Sequence, residues 1–238
     1  VWFGGKFPWG DKDRLVVNIF YYPSTMININ TDVVRPDEIK SLNDLLDPKW
    51  KNKIIINDPT VTGSGFNGFS SLVYNKVVDQ DYFRKLVSQQ NQMLRDQRLQ
   101  ADWLARAKYT VALWAVPEQL AAFQEAGAPI ASIQPVEGTY LSIDGGGVVL
   151  VRGAPHPSAA KVFINWILSK EGHAFIQDKM QQQGSRNDIP TQGIDQERVR
   201  KPGGKYFIGA NSIEEWVLNE QDKYLDIAKQ IFSPLLER

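Results

Sequence analysis

The sequence contains no cysteine, which excludes disulfide bonds, thiolate metal sites and cysteine nucleophiles. Its two histidines, His156 and His173, are not spaced as the paired histidines of a metalloprotease helix. A Gly-x-Ser-x-Gly elbow and an EF-hand loop are also missing. We therefore expect a protein that is not an enzyme, with no catalytic residue, no metal site and no cofactor.

The chain also lacks net charge, because 27 lysines and arginines balance 27 aspartates and glutamates. This balance gives no electrostatic reason to expect nucleic acid or an anionic membrane as a partner. No segment approaches the roughly 18 uncharged apolar residues of a membrane span. The 238 residues are nevertheless 42% hydrophobic and 11% aromatic, which is enough to build the core of one large or two ordinary domains.

The spacing of apolar residues predicts alternating strands and helices, which is typical of an α/β fold. Predicted strands cover 15–22, 26–30, 53–57, 109–114 and 130–134; predicted helices follow residue 65, cover 82–107 and run from Pro117 to Gly127. Beyond Pro135, two strand-like pieces at 139–143 and 148–152 follow one another without a helix between them. The remainder is mostly helical, and a last helix is expected to begin at Ser212, which has capping-box spacing to Glu215.

The loop at residues 58–65 is the most informative local feature, because it joins a buried strand to an amphipathic helix. The first N–H groups of a helix lack intrahelical partners and carry the positive end of the dipole. Gly63 and Gly65 allow close approach to the backbone, and Thr62 and Ser64 add hydroxyls. Two interpretations stay open: a hydroxyl caps the helix, or the loop contacts a ligand.

Three other features have both a structural and a functional interpretation. Trp114 ends a predicted strand, where a tryptophan belongs either to the core or to a ligand-stacking platform. Asp144 either caps a turn or pairs with a positive ligand group. The run Gly145-Gly146-Gly147 indicates a backbone bend, because no Lys-Ser/Thr follows it to make a phosphate loop.

Several stretches together resemble the extracellular solute-binding proteins of bacterial ABC importers. They are similar to the type II periplasmic binding proteins around the ferric-ion and polyamine binders. The stretches are Asn30-Thr31-Asp32, SLNDLLDPKWKNK at 41–53, NDPTVTGSG at 57–65 and VEGTYLSIDGGGVVLVRGAPHPSAAKVFIN at 136–165.

The resemblance implies a two-lobed type II periplasmic-binding-protein fold with two crossover hinge strands and lobes that close over a ligand by hinge bending. On this basis residues 1–28 end lobe one and form the outgoing hinge, and 29–138 form lobe two. Residues 139–150 are the returning hinge strands, and 151–238 are the mostly helical C-terminal part of lobe one. The likeness starts at the first crossover, so the opening βα units of lobe one are expected to be missing ahead of Val1.

The resemblance also implies a monomeric periplasmic or extracellular subunit that delivers a small polar solute from the inter-lobe cleft to an ABC permease in the inner membrane. The alternatives are a ferric-ion protein that also binds an anion, or a catalytic or sensory domain on this scaffold. Ferric binders carry adjacent tyrosines at the strand end that here reads Ala112-Leu113-Trp114-Ala115. The ligand contacts expected from the match are Tyr22, Ser24, Thr25, Thr62, Gly63, Ser64, Gly65, Trp114 and Asp144.

Overall fold

The computed structural model describes residues 1–24, 26–143, 146–194 and 196–236. The strands are β1 Val16–Asn18, β2 Tyr22–Pro23, β3 Ile27–Asn30, β4 Ile54–Asn57, β5 Gln92–Leu94, β6 Val111–Leu113, β7 Ile130–Ile133, β8 Thr139–Ser142, β9 Gly147–Val149 and β10 Tyr206–Ile208. The helices are α1 Ser64–Tyr74, α2 Gln80–Ser88, α3 Gln97–Ala105, α4 Pro117–Glu125, α5 Pro157–Leu168, α6 Lys170–Met180, α7 Glu214–Asn219 and α8 Gln221–Leu236.

The chain forms two compact units. Unit 1 comprises Val1–Ser24, Leu141–Gly204 and Ser212–Glu214, and unit 2 comprises Thr25–Tyr140, Lys205–Asn211 and Glu215–Arg238. The chain passes between the units first at residues 24–25 and then at 140–141, and the hinge segments expected from the resemblance stay predictions. The last helix differs from the predicted placement of 151–238 in lobe one: α8 belongs to unit 2, where the Phe232 ring packs 5.7 Å from Phe69 of α1.

Unit 2 is built on a mixed sheet with the strand order β5–β4–β6–β3–β7. Strand β4 runs parallel to β5 and β6, whereas β3 runs antiparallel to β6 and β7. All four residues of β4 are buried, as expected for a parallel strand that is covered on both faces. The apolar sequence Ile54-Ile55-Ile56 therefore specifies a central strand of this unit.

The prediction of one helix over 82–107 is wrong, because two helices and a strand occupy this range. Asp79 and Asp96 each cap a new helix by accepting a hydrogen bond from a backbone N–H, of Tyr82 and Leu99 respectively, both at 2.9 Å. Between the helices, Gln90 has a φ of 60°, which no helix accommodates. The residues that follow it form β5 by pairing with β4.

The predicted start of the last helix at Ser212 is also wrong. Ser212 lies in a 3-10 turn at Ala210–Ser212, and its buried hydroxyl makes no hydrogen bond within the described part of the chain. The helical region begins at Glu214 and divides at Glu220 into α7 and α8. A capping-box spacing alone does not fix a helix start when the capping residue is drawn into a different turn.

Unit 1 contains β1, which pairs antiparallel with β9, and β2, whose Tyr22 pairs with Ser142. Its core includes Ile19, Phe20 and Tyr22 packed with Ile167 of α5. None of the helices in the described ranges combines the length and the apolar character needed to cross a membrane.

Candidate ligand-binding site

The site lies at the carboxyl edge of the parallel strands β4 and β6 of unit 2. After β4 the chain runs through a loop into α1, and after β6 it runs through a shorter loop into α4, which begins at Pro117. In α/β sheets, ligands bind outside the carboxyl ends of the strands, at the start of such helices. The hydroxyl of Ser64 joins the two connections, because it donates a hydrogen bond to the carbonyl of Trp114 at 2.7 Å.

The N-cap residue of α1 provides no side-chain cap. Gly63 is the N-cap residue, and the Ser64 hydroxyl is engaged with Trp114 instead of the helix backbone. The N–H of Gly65 donates to Oδ1 of Asn57 at 3.0 Å. Because Thr62 and Gly63 are exposed, the positive end of this eleven-residue helix faces solvent, although Asn57 already holds the N–H of Gly65. The Ser64 hydroxyl therefore does not cap α1; the side chain that holds an early N–H of the helix is that of Asn57.

A buried carboxylate holds the loop between β4 and α1 by hydrogen bonds. Asp58 is 2% exposed, and its Oδ1 accepts hydrogen bonds from the N–H and the hydroxyl of Thr60, at 2.7 Å and 2.6 Å. Its Oδ2 accepts from Nε of Arg95, at 2.7 Å. Since the Arg95 side chain is 66% exposed, its guanidinium adds positive charge next to the loop while its Nε holds Asp58.

A buried amide network aligns the ends of β4 and β6. The side-chain amide of Gln100 donates to the carbonyl of Leu113 at 3.0 Å, and its oxygen accepts from Asn57 at 3.4 Å. Asn57 in turn accepts the hydrogen bond from Gly65. A satisfied polar network of this kind favours a single arrangement of the strand ends and the helix start.

Glycines let α1 approach the sheet closely. A Cβ on Gly65 would lie 2.2 Å from the carbonyl oxygen of Asn57, and a Cβ on Gly68 would lie 2.2 Å from the indole of Trp114. Such distances are far below van der Waals contact, so any side chain at either position would push the helix away. Gly65 thus has a packing role in the interior of unit 2, where it is buried.

Trp114 presents its backbone, and not its indole, at this edge. The side chain is 3% exposed and packs against Phe83 and Phe232, with ring centroids 6.0 Å and 6.5 Å apart. Its φ of 57° is unusual for a bulky residue and marks local backbone strain. The carbonyl of Trp114 accepts from Ser64, and its N–H donates to Met26 at 3.0 Å. The sequence left open whether this tryptophan is a core residue or a ligand-stacking platform. In the structure its indole is a core residue.

Two of the remaining predicted contacts lie in the other unit. Tyr22 and Ser24 belong to unit 1, where Tyr22 is a buried core residue whose ring lies 5.7 Å from the guanidinium of Arg198. Thr25 and Asp144 lie outside the described residues. The structure therefore brings together Thr62, Gly63, Ser64, Gly65 and the Trp114 backbone, all within unit 2.

Sequence reasoning missed Asp58 and Arg95 as site residues. Arg95 follows β5 directly. Because the sequence predicted a single helix over 82–107, it gave no reason to place Arg95 at the end of a strand. An Asp that directly follows a buried strand was a usable signal for Asp58, because it places a carboxylate at the strand end. Across the described ranges, no group of three or more histidine, aspartate or glutamate side chains is arranged to hold a metal ion.

The two compact α/β units match the type II periplasmic binding proteins in fold. The structure of AfuA from Actinobacillus pleuropneumoniae, with exogenous fructose-6-phosphate bound, is similar with a TM-score of 0.67 and 25% identity, over 93% of this chain and 71% of AfuA. Apo FutA2 from Synechocystis has a TM-score of 0.70 and 16% identity, over 96% of this chain and 75% of FutA2.

The chain belongs to the bacterial extracellular solute-binding protein family, which it matches over residues 7–199. It is also 27% identical over 162 residues to an uncharacterized protein of Haemophilus influenzae. That match covers 66% of this chain but 46% of the relative, so the chain spans under half of that protein's length.

Proposed function

We propose that this chain is the solute-binding subunit of a bacterial ABC importer, acting in the periplasm. It captures a small polar solute and delivers it, chemically unchanged, to a permease in the inner membrane. Membership of the extracellular solute-binding family supports this proposal. The absence of a nucleophile, metal or cofactor signature in the sequence is compatible with binding without turnover.

The proposed solute carries an anionic group of the phosphate class, held at the N-terminus of α1. The observation that carries this assignment is the exposed helix start at Gly63, where the N-cap residue has no side chain and the neighbouring Ser64 hydroxyl is committed to the Trp114 carbonyl. Backbone N–H groups at such a start are well suited to bind phosphate oxygens. The exposed guanidinium of Arg95 adds attraction for the same charge.

AfuA supports the choice of a phosphorylated compound as the first probe, since its structure contains fructose-6-phosphate. The positive charge of Arg95 discriminates against cations near the same position. The contacts expected at Tyr22, Ser24, Thr25 and Asp144 stay predictions, and Asp144 would add affinity for a positive group elsewhere on the solute.

The experiment is a thermal-shift and calorimetric screen with fructose 6-phosphate, fructose, inorganic phosphate, spermidine and ferric citrate as the probes. We expect stabilisation by the phosphorylated sugar and not by fructose, with the ligand recovered unchanged. Stabilisation by ferric citrate alone would favour a ferric-ion protein, and turnover of any probe would favour an enzyme. Either result would contradict the proposal.

A pair of variants tests the location of the anion. Thr62→Asp places a carboxylate beside the helix start and is expected to weaken binding of the phosphorylated probe at least about tenfold, through like-charge repulsion. Ser88→Asp adds the same charge at another exposed position in unit 2 and serves as the matched control. Equal affinities of the two variants would refute the assignment of the anion to α1.

A further inference from the structure

Unit 2 carries a row of lysines at the edge of its sheet where the parallel strands β4, β5 and β6 begin. Lys51 and Lys53 lie directly before β4, Lys108 lies before β6, and Lys85 lies in the last turn of α2, ahead of β5. All four residues are exposed, and none of them forms an ion pair within the described part of the chain. These four residues form the lysine edge of unit 2.

Main-chain hydrogen bonds hold the turns of the lysine edge in fixed positions. The N–H of Asn52 donates to the carbonyl of Gln89 at 3.1 Å, which joins the turn before β4 to the end of α2. The N–H of Thr110 donates to the carbonyl of Lys53 at 3.0 Å, which joins the same turn to the start of β6. Because neighbouring strands lie about 4.8 Å apart, the edge spans about 10 Å across β5, β4 and β6. The four lysines are therefore distributed along one ordered surface.

The acidic residues nearest to the lysine edge in sequence are already engaged. Asp81 pairs with Arg84 at 2.5 Å, and Asp102 pairs with Arg106 at 2.8 Å. The carboxylate of Asp47 accepts a hydrogen bond from a backbone N–H at 2.9 Å. Although the whole chain carries no net charge, the lysine edge therefore keeps a net positive charge.

Other acidic residues on this side of the sheet lie beside different strands. Asp32 follows β3, and Glu125 ends α4 ahead of β7; both are exposed. In the strand order β5–β4–β6–β3–β7, these two strands form the other half of the sheet. Charge is thus separated along this side of unit 2, with the lysines on the half formed by β5, β4 and β6.

Two aromatic side chains accompany the lysines. Trp103, near the end of α3, stacks on Tyr109 with ring centroids 5.6 Å apart. The Nζ of Lys108 lies 3.2 Å from the centroid of the Trp103 ring. Both aromatic residues are half-buried. Tryptophan and tyrosine beside lysine are typical of protein surfaces at the interface between membrane and water, because each combines an apolar body with a polar tip.

We propose that the lysine edge of unit 2 binds the headgroups of anionic phospholipids at a bilayer surface. Lysines that are spread over three strands match an array of headgroups, whereas a single small anion is bound by groups that converge on it. Each lysine near such a surface contributes about fivefold to the affinity. The candidate solute site lies at the carboxyl edge of the same strands, so unit 2 contacts lipid while that site stays accessible.

The test is sedimentation of the 238-residue chain with vesicles of phosphatidylcholine and phosphatidylglycerol in equal parts, and with vesicles of phosphatidylcholine alone. We expect binding to the anionic vesicles only, with an affinity that falls as the salt concentration rises. No binding, or equal binding to both kinds of vesicle, would overturn the proposal. Binding of soluble polyglutamate without binding of the anionic vesicles would assign the lysine edge to an acidic protein partner and overturn it as well.

Two double variants with the same change of charge locate the contact. Lys53→Glu/Lys108→Glu alters the lysine edge, whereas Lys40→Glu/Lys205→Glu alters exposed lysines of unit 2 whose carbonyls accept hydrogen bonds from residues that follow β7. Only the first variant should lose affinity for the anionic vesicles, by at least about twentyfold, because two lysine contributions are removed. Equal losses in the two variants would refute the assignment to this edge.

Two further features keep the result interpretable. All four substituted residues are exposed, so neither double variant is expected to alter the fold, and urea unfolding of both variants checks this expectation. The vesicle measurement contains no solute, so its outcome is independent of the proposed function.

Discussion

The buried His173 makes the stability of unit 1 sensitive to mild acid. Its ring is 1% exposed, and its Nδ1 lies 3.2 Å from the carbonyl oxygen of Ile167. The backbone closes over the other side, because a Cβ on Gly184 would lie 2.3 Å from Nε2. Desolvation lowers the pKa of His173 from 6.5 to about 4, with a further lowering by the charge of Arg186 and opposing effects from the Ile167 carbonyl and Asp188.

The size of the effect follows from linkage. A downward shift from 6.5 to about 4 corresponds to a loss of about 3 kcal/mol, at about 1.36 kcal/mol per pKa unit. The sign is set by the unfolded chain, which binds the proton first because its histidine keeps the ordinary pKa. The stability is therefore fully present above pH 6.5 and declines as the pH falls toward 4.

The assay combines imidazole NMR with urea unfolding. The chain has only two histidines, so the His173 signal is assigned by its loss in His173→Phe, and the exposed His156 provides the matched variant His156→Phe. We expect His173 to titrate near pH 4, and we expect the free energy of unfolding to fall less between pH 6.5 and 4.5 in His173→Phe than in the unaltered chain. Titration of His173 near 6.5, or identical pH profiles for the two histidine variants, would refute the reasoning.

Three further substitutions test unit 2 by urea unfolding, and a fourth, Gly147→Ala in unit 1, serves as a control. Trp114→Ala should cost about 3–5 kcal/mol, because it empties a core position; a loss below about 1 kcal/mol would instead make Trp114 a surface platform. Gly65→Ala should cost about 1–3 kcal/mol, since its Cβ meets a backbone carbonyl, whereas Gly147→Ala, with ordinary contact distances, should change stability little. Arg95→Ala should cost about 1 kcal/mol by removing the charged partner of buried Asp58; a neutral result would show that Thr60 alone satisfies that carboxylate.

Much of the candidate site could be predicted because its signals are local. A run of branched apolar residues, a polar loop with glycines and an amphipathic helix follow one another within 53–74, and each is specified by its own neighbours in sequence. The loop at 62–65 was correctly located at a helix start. What the loop hydroxyl does was not predictable, since the partner of Ser64 is fifty residues away in the chain.

The errors arose where distant residues compete for a segment. Strand β5 forms by pairing with the edge of β4. The residues within 82–107 do not indicate this pairing, because β4 lies outside that range. Likewise, α8 joins unit 2 because Phe232 packs with Phe69 and Phe83, which are more than a hundred residues earlier in the chain. Periodicity indicates that a helix has an apolar face, but it does not identify the surface that covers that face.

The sequence by itself determined the class of the protein: an α/β chain of the extracellular solute-binding family, with a glycine-containing loop leading into α1. Periodicity indicates the α/β class, and the resemblance of an ordered series of short stretches indicates the family, because each of these signals is carried by neighbouring residues. Only the tertiary structure decided that the Trp114 indole is core and that Arg95 reaches Asp58. These outcomes depend on packing between segments far apart in the chain. The local sequence is compatible with several partners and burial states for each side chain, and close contact with distant residues decides between them.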